Sequence, residues 1–131
     1  MKKILIVDDN RLERRLLVYV LAESFGNQVY IAQAKDGNEA LEMLSNTIFD
    51  LVITDLVMPK IEGIELIRKI KVQFHEIIKI IAISGKNPYY LYLAKKLGIQ
   101  GIFTKPLDKD KLLNTVGKLL NIESKQIISI S

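Results

Sequence analysis

Four short, largely apolar runs end in polar residues whose types suit phosphate and metal chemistry. Ile4-Leu5-Ile6-Val7 stops at Asp8-Asp9, and Leu51-Val52-Ile53-Thr54 stops at Asp55. Residues 77–83 lead to Ser84-Gly85, and residues 101–104 lead to Lys105-Pro106. Three carboxylates gathered within a few ångströms repel one another, and their pKa values rise unless a cation neutralises them. Hard oxygen donors with no His or Cys among them favour Mg²⁺, Mn²⁺ or Ca²⁺ over zinc, and Mg²⁺ is commonly held by one or two carboxylates plus a phosphate. In such a set Lys105 offers a point charge to a phosphate oxygen, and Ser84 can donate a hydrogen bond to another. One acid would remain free to act as a nucleophile, as carboxylates do when they form aspartyl phosphates. Catalysis would rest on positioning and charge neutralisation during in-line transfer.

Those residues meet only if their runs are neighbouring strands of one parallel sheet, where ligands gather beyond the carboxyl ends. The intervening segments supply the helices such a sheet requires. Residues 11–25 carry apolar side chains at 12, 16, 17, 20 and 21, a helical spacing, and Gly26-Asn27 ends that helix. Residues 29–32 read as another strand. Asp36-Gly37 makes a turn before a short helix over 38–44, with Ala40, Leu41 and Leu44 inward. Met58-Pro59 opens a loop before a helix over 63–72. Pro88 suits the first turn of a helix over 88–97 and Gly98 its end. A last helix runs from Leu107-Asp108 to about Asn121, with Leu112, Leu113, Val116, Leu119 and Leu120 on one side. Strand and helix alternate five times, which implies an α/β domain with a parallel sheet covered on both faces.

The 131 residues suit one such domain over residues 1–121. Residues 122–131 read as a short tail or truncated linker with Ile122, Ile127, Ile128 and Ile130. The absence of cysteine excludes disulfides and thiolate metal sites and agrees with a cytoplasmic location. Lys2-Lys3 precede only four apolar residues before two acids, too short a run for a signal peptide, and no stretch is long enough to cross a membrane. Charge is uneven: residues 1–60 hold 7 bases and 9 acids, whereas residues 61–131 hold 12 bases and 6 acids. The acids thus concentrate in the half that carries most of the candidate site.

Taken together, the acidic pair after the first strand, Asp55 followed by Leu-Val-Met-Pro and then Gly63, Ser84, and Thr-Lys-Pro at 104–106 resemble the receiver domains of bacterial response regulators. The resemblance extends over about residues 2–121. It implies a flavodoxin-like (CheY-like) sheet of five parallel strands in the order 2-1-3-4-5, with five helices on both faces. It further implies that Asp55 accepts a phosphoryl group from the phosphohistidine of a sensor histidine kinase or phosphotransfer protein. Asp8, Asp9 and Asp55 would hold Mg²⁺, or Mn²⁺ in its place, Asp9 more directly than Asp8 and with the backbone carbonyl of Val57 as a further ligand. Lys105 would pair with the phosphoryl group, Ser84 would be the switch hydroxyl, Phe103 the switch aromatic, and Pro106 would follow a cis peptide. Such a domain assists its own phosphorylation and dephosphorylation and is not a turnover enzyme. Gly85 and Lys86 depart from the family habit of a small residue such as Ala after the switch hydroxyl, and Phe103 lacks the hydroxyl of Tyr.

Plainer roles compete with these. Asp8 and Asp9 could cap the following helix, Asp55 and Ser84 could be turn residues, and Lys105 a solvated surface lysine. Their common placement at strand ends favours the site. His75, the single histidine, reads as a loop residue without a function. Tyr89, Tyr90 and Tyr92 cluster at the fourth helix, at least one of them packed inward. Lys86, Lys95, Lys96, Lys109, Lys111 and Lys118 outline a basic output face suited to an acidic downstream protein. A phosphohydrolase with a strand-one aspartate nucleophile would need its two acids two residues apart, whereas here they are adjacent and Asn10 follows. A phosphorylation-independent adaptor would not require the complete set of acids and lysine. No glycine-rich phosphate loop or aromatic-basic motif is present, so neither nucleotide nor nucleic acid is an expected ligand.

Overall fold

The computed structural model describes residues 1–58, 62–74, 77–85 and 87–125. Within them strands and helices alternate: β1 (Lys2–Val7), α1 (Arg11–Phe25), β2 (Val29–Ala34), α2 (Gly37–Asn46), β3 (Leu51–Asp55), α3 (Gly63–Phe74), β4 (Lys79–Ser84), α4 (Pro88–Lys96), β5 (Gly101–Thr104) and α5 (Lys109–Leu120). The strands are all parallel and lie in the order β2-β1-β3-β4-β5. This is the expected 2-1-3-4-5 arrangement, and β1, flanked by β2 and β3, marks the reversal of strand order where such sheets place their sites.

Successive strand residues face opposite sides of a sheet, so each strand feeds two cores. Leu5, Val7, Val52, Ile80 and Ala82 pack with Ala40 and Leu44 of α2, Ile64, Leu66, Ile67 and Ile70 of α3, and Ala94 of α4. Ile4, Ile6, Leu51, Ile53, Ile81 and Ile83 pack with Leu21 and Phe25 of α1 and Leu112, Leu113, Val116 and Leu120 of α5. The unbroken apolar runs of the central strands follow from burial on both faces.

Helix ends carry local signals. Asn10, Asp36, Asn87 and Asp108 each accept a backbone N–H from the first turn of α1, α2, α4 and α5, satisfying donors that the helix itself leaves unpaired. Gly98 follows α4 at φ 65°, a left-handed conformation that glycine adopts without steric cost.

Two local expectations shift. The strand expected from residue 77 begins at Lys79, because the Ile77 N–H donates to the Phe74 carbonyl and closes the end of α3; Ile77 is 71% exposed. On α1, Leu12 and Leu16 belong to the apolar spacing yet are 72% and 56% exposed. The core takes the C-terminal half of that helix, Leu21 and Phe25, and leaves its first turns at the rim. Beyond α5, Ile122 packs partly against the α1–α5 core. Gln28 exchanges two hydrogen bonds with the Glu123 backbone, at 2.8 and 3.2 Å, so residues 122 and 123 dock on the domain. Pro59, His75, Lys86 and residues 126–131, including Ile127, Ile128 and Ile130, lie outside the described residues.

Candidate functional site

Strand register sets the level at which each polar residue leaves the sheet. Val7 pairs with Thr54, so the next residue on each strand, Asp8 and Asp55, emerges at the same height. Asp55 pairs with Ile83 and Ser84 with Thr104, which carries Lys105 to the same rim. One carboxylate oxygen from each of Asp8, Asp9 and Asp55 lies within 4.8 Å of the other two.

The reading of Asp8 and Asp9 as mere helix caps does not hold for the first turn of α1. Asn10 caps it instead, its side chain accepting the Glu13 N–H at 3.0 Å. Asp8 Oδ1 accepts the Asn10 N–H at 2.8 Å, and its carbonyl accepts from Arg14 Nη1 at 2.7 Å. The turn after β1 is thereby tied down while Asp9 stays exposed.

Asp55 is 8% exposed. Its Oδ1 accepts the Val57 N–H at 3.2 Å, and its Oδ2 lies 3.2 Å from Lys105 Nζ. Beyond Asp55 the Leu56 N–H donates to the Ile83 carbonyl, and the Gly63 N–H to the Leu56 carbonyl, both at 2.9 Å. A Cβ on Gly63 would strike the Asp55 carbonyl and the Leu56 Cα, so this close approach requires glycine.

Lys105 also reaches Glu13, with Nζ 2.9 Å from Oε2. Burial opposes the charge on Lys105, but the Glu13 hydrogen bond and the Asp55 charge outweigh it and raise its pKa. The Lys105–Pro106 peptide is cis, as the resemblance implies. Ser84 is fully buried, and its hydroxyl has no hydrogen-bond partner among the described residues. Phe103 is partly buried against the α1–α5 core, directly across from Ile83 in the sheet. Tyr90 packs partly inward, whereas Tyr89 and Tyr92 are exposed.

The crowding of acids is felt most at Asp8. Burial first, then the charges of Asp55 and Glu13, raise its pKa from 3.8 to about 6, against the lowering pull of the Asn10 N–H and Lys105. An all-oxygen set with this excess of negative charge fits a divalent cation such as Mg²⁺ better than a softer metal. A raised acid pKa means that the folded state holds its proton more tightly than the unfolded chain. Its stabilising contribution is therefore full below about 4 and is lost as pH rises through about 6. Metal-free protein should thus gain at most about 1 kcal/mol from this group between pH 7 and pH 5, after allowance for its partial exposure. Asp8→Asn should remove that gain, and excess Mg²⁺ should reverse the trend, because acidification then opposes the cation. Thermal melts of both proteins with chelator and with Mg²⁺ test this; parallel pH curves for wild type and variant would refute it.

Glu13 is the site residue that sequence reasoning missed. It stands in the first turn of α1, where acids commonly serve the helix dipole, and its partner is 92 positions away. The spacing of one helical turn beyond Asp9 was the only available signal.

Comparison with known proteins agrees with this geometry. The profile of the family described as "Response regulator receiver domain" matches residues 4–117. The chain is 35% identical over 123 residues to sporulation initiation phosphotransferase F of Bacillus subtilis, covering 94% of this chain and 97% of that protein. It is 39% identical over 118 residues to the CAI-1 autoinducer sensor kinase/phosphatase CqsS of Vibrio cholerae, covering 88% of this chain but only 17% of that kinase. A response regulator receiver protein from Pseudomonas putida superposes with a TM-score of 0.81 at 31% identity, over 89% of this chain and 96% of that one. With the strand order, the clustered acids and the match over residues 4–117 all in agreement, the chain belongs to the response regulator receiver domain family.

Proposed function

We propose that this receiver domain accepts a phosphoryl group on Asp55 from a phosphohistidine of a sensor kinase or phosphotransfer protein, in a reaction that depends on Mg²⁺ or Mn²⁺. The observation that carries the reading is the convergence of Asp8, Asp9 and Asp55 within 4.8 Å, with Lys105 3.2 Å from Asp55. An Asp55 carboxylate oxygen bonds to phosphorus as the P–N bond to the donor histidine breaks, and the imidazole leaves with the electron pair. Asp8 and Asp9, with Asp55 itself and the Val57 carbonyl, would hold the cation, which when bound neutralises charge on the transferred group. Lys105 pairs with a phosphoryl oxygen, and the Val57 N–H orients the Asp55 carboxylate before transfer. The buried Ser84 hydroxyl is a donor without an acceptor among the described residues, and such a group costs about 1–3 kcal/mol. A phosphoryl oxygen would supply the acceptor, and Phe103, across from Ile83 on the neighbouring strand, would repack as Ser84 moves.

The domain assists its own phosphorylation and dephosphorylation rather than turning over a substrate, and we assign it to the cytoplasm. Among the described residues no helix is long and apolar enough to cross a membrane. The face formed by α4, β5 and α5 would change on phosphorylation and engage a downstream protein. On it Tyr89 and Tyr92 are 62% and 58% exposed, and Lys96 Nζ sits 5.4 Å from the Tyr92 ring centroid. With no acid in α4 and Lys95, Lys96, Lys109, Lys111 and Lys118 exposed, this face favours an acidic partner. With the isolated target protein, Lys95→Glu combined with Lys96→Glu should weaken binding by about tenfold; unchanged affinity would exclude the basic face.

The test of the acceptor reading is intact mass after incubation with acetyl phosphate. One labile phosphoryl adduct should form with Mg²⁺ and none with chelator. An adduct that ignores the metal, or none under either condition, would overturn it.

A further inference from the structure

Lys105 divides its charge. Its Nζ lies 3.2 Å from Asp55 Oδ2 but only 2.9 Å from Glu13 Oε2, so the shorter contact of this cation is with a residue outside the cluster of three acids. Glu13 is held in register by the Asn10 cap, which accepts its N–H, and the Asn10 N–H in turn donates to Asp8. The two carboxylates differ in access: the Glu13 side chain is 45% exposed and that of Asp55 10%. Both Glu13 and Lys105 line the same groove, with Asp8, Leu16, Leu17 and Pro106. Asp55 does not itself line this groove; the Glu13 charge is tied to the acceptor through Lys105, which the two carboxylates share.

We infer that Glu13 is a positioning residue that holds Lys105 partly away from Asp55 in the resting domain, and that its charge slows phosphorylation by small anionic donors. The inference rests on Asp55 being the acceptor. Two physical effects act in the same direction. Lys105 must loosen a charge-assisted hydrogen bond before it can commit to the incoming phosphoryl group. The Glu13 carboxylate also repels any donor in proportion to the donor's own negative charge. A protein donor that covers the groove can offset this with contacts of its own, whereas a free small molecule cannot. Glu13 would thereby favour the protein donor over metabolites that carry reactive phosphate.

Glu13→Gln keeps the shape of the side chain and removes its charge. With acetyl phosphate and saturating Mg²⁺, the variant should be phosphorylated about 3- to 10-fold faster at low ionic strength, with the advantage shrinking as salt is added. Acetyl phosphate is a dianion near neutral pH and phosphoramidate carries less net charge, so the gain should be larger for acetyl phosphate. Glu13→Asp, which retains the charge, should stay near the wild-type rate. An unchanged or slower rate in Glu13→Gln would overturn the proposal. So would an equal gain for both donors, because a purely structural change does not distinguish donor charge. Failure of the wild type itself to form an adduct would instead refute the acceptor reading, and this inference with it.

Discussion

Asp55→Asn is expected to form no phosphoryl adduct, a loss of at least about 10³-fold, because an amide is not a nucleophile of the kind that forms aspartyl phosphates. The substitution nearly preserves shape. The side-chain oxygen can still accept the Val57 N–H that Oδ1 accepts at 3.2 Å, and the buried volume does not change. It removes both a charge that raises the pKa of Asp8 and the 3.2 Å ion pair with Lys105, opposing effects that should leave the metal-free variant folded near neutral pH. Loss of phosphorylation can therefore be separated from loss of structure. Intact mass with acetyl phosphate and Mg²⁺, alongside a thermal melt, makes the comparison. An adduct of similar yield on a folded Asp55→Asn protein would move the acceptor to another residue, with Asp8 and Asp9 the nearest candidates.

Gly63→Ala should be the most damaging small substitution at the site. The new methyl group would meet the Asp55 carbonyl oxygen, the Leu56 Cα at 2.6 Å and the Asp55 carbonyl carbon at 2.9 Å. All three are backbone atoms that cannot swing away as a side chain would. Overpacking of a well-filled interior typically costs about 1–3 kcal/mol, and a clash against backbone on this scale should reach about 3 kcal/mol or more. Relief would require the turn after β3 to shift and Asp55 to move with it. Because misplacement by about 1 Å can cost about 10²-fold in rate, phosphorylation should fall even in the folded fraction. Urea unfolding should give a lower midpoint with an unchanged slope. Gly85→Ala is the control, since a Cβ there meets nothing within 4 Å among the described residues. Similar midpoints for the two variants would mean that the chain after Asp55 is not as tightly constrained as its contacts indicate.

Much of the candidate site is legible in the sequence. Asp8, Asp9, Asp55, Ser84 and Lys105 were identifiable because each directly follows a run with the apolar pattern of a doubly covered strand. A parallel sheet must bring the carboxyl ends of such strands to one edge. The helices were legible for the same kind of reason, since periodicity and end signals such as Gly98 act over a few residues. Tertiary structure decided the rest. The partnership of Glu13 with Lys105 spans 92 positions and depends on where the first turn of α1 stands above the sheet. Leu12 and Leu16 have the spacing of core residues but remain exposed because the α1–α5 core is built on Leu21 and Phe25. The need for glycine at 63 arises from the return of the chain against Asp55 and Leu56. Local periodicity encodes what one turn or one strand prefers. Which distant charges share a lysine, and which half of a helix is covered, depends on register and packing among elements remote in the chain.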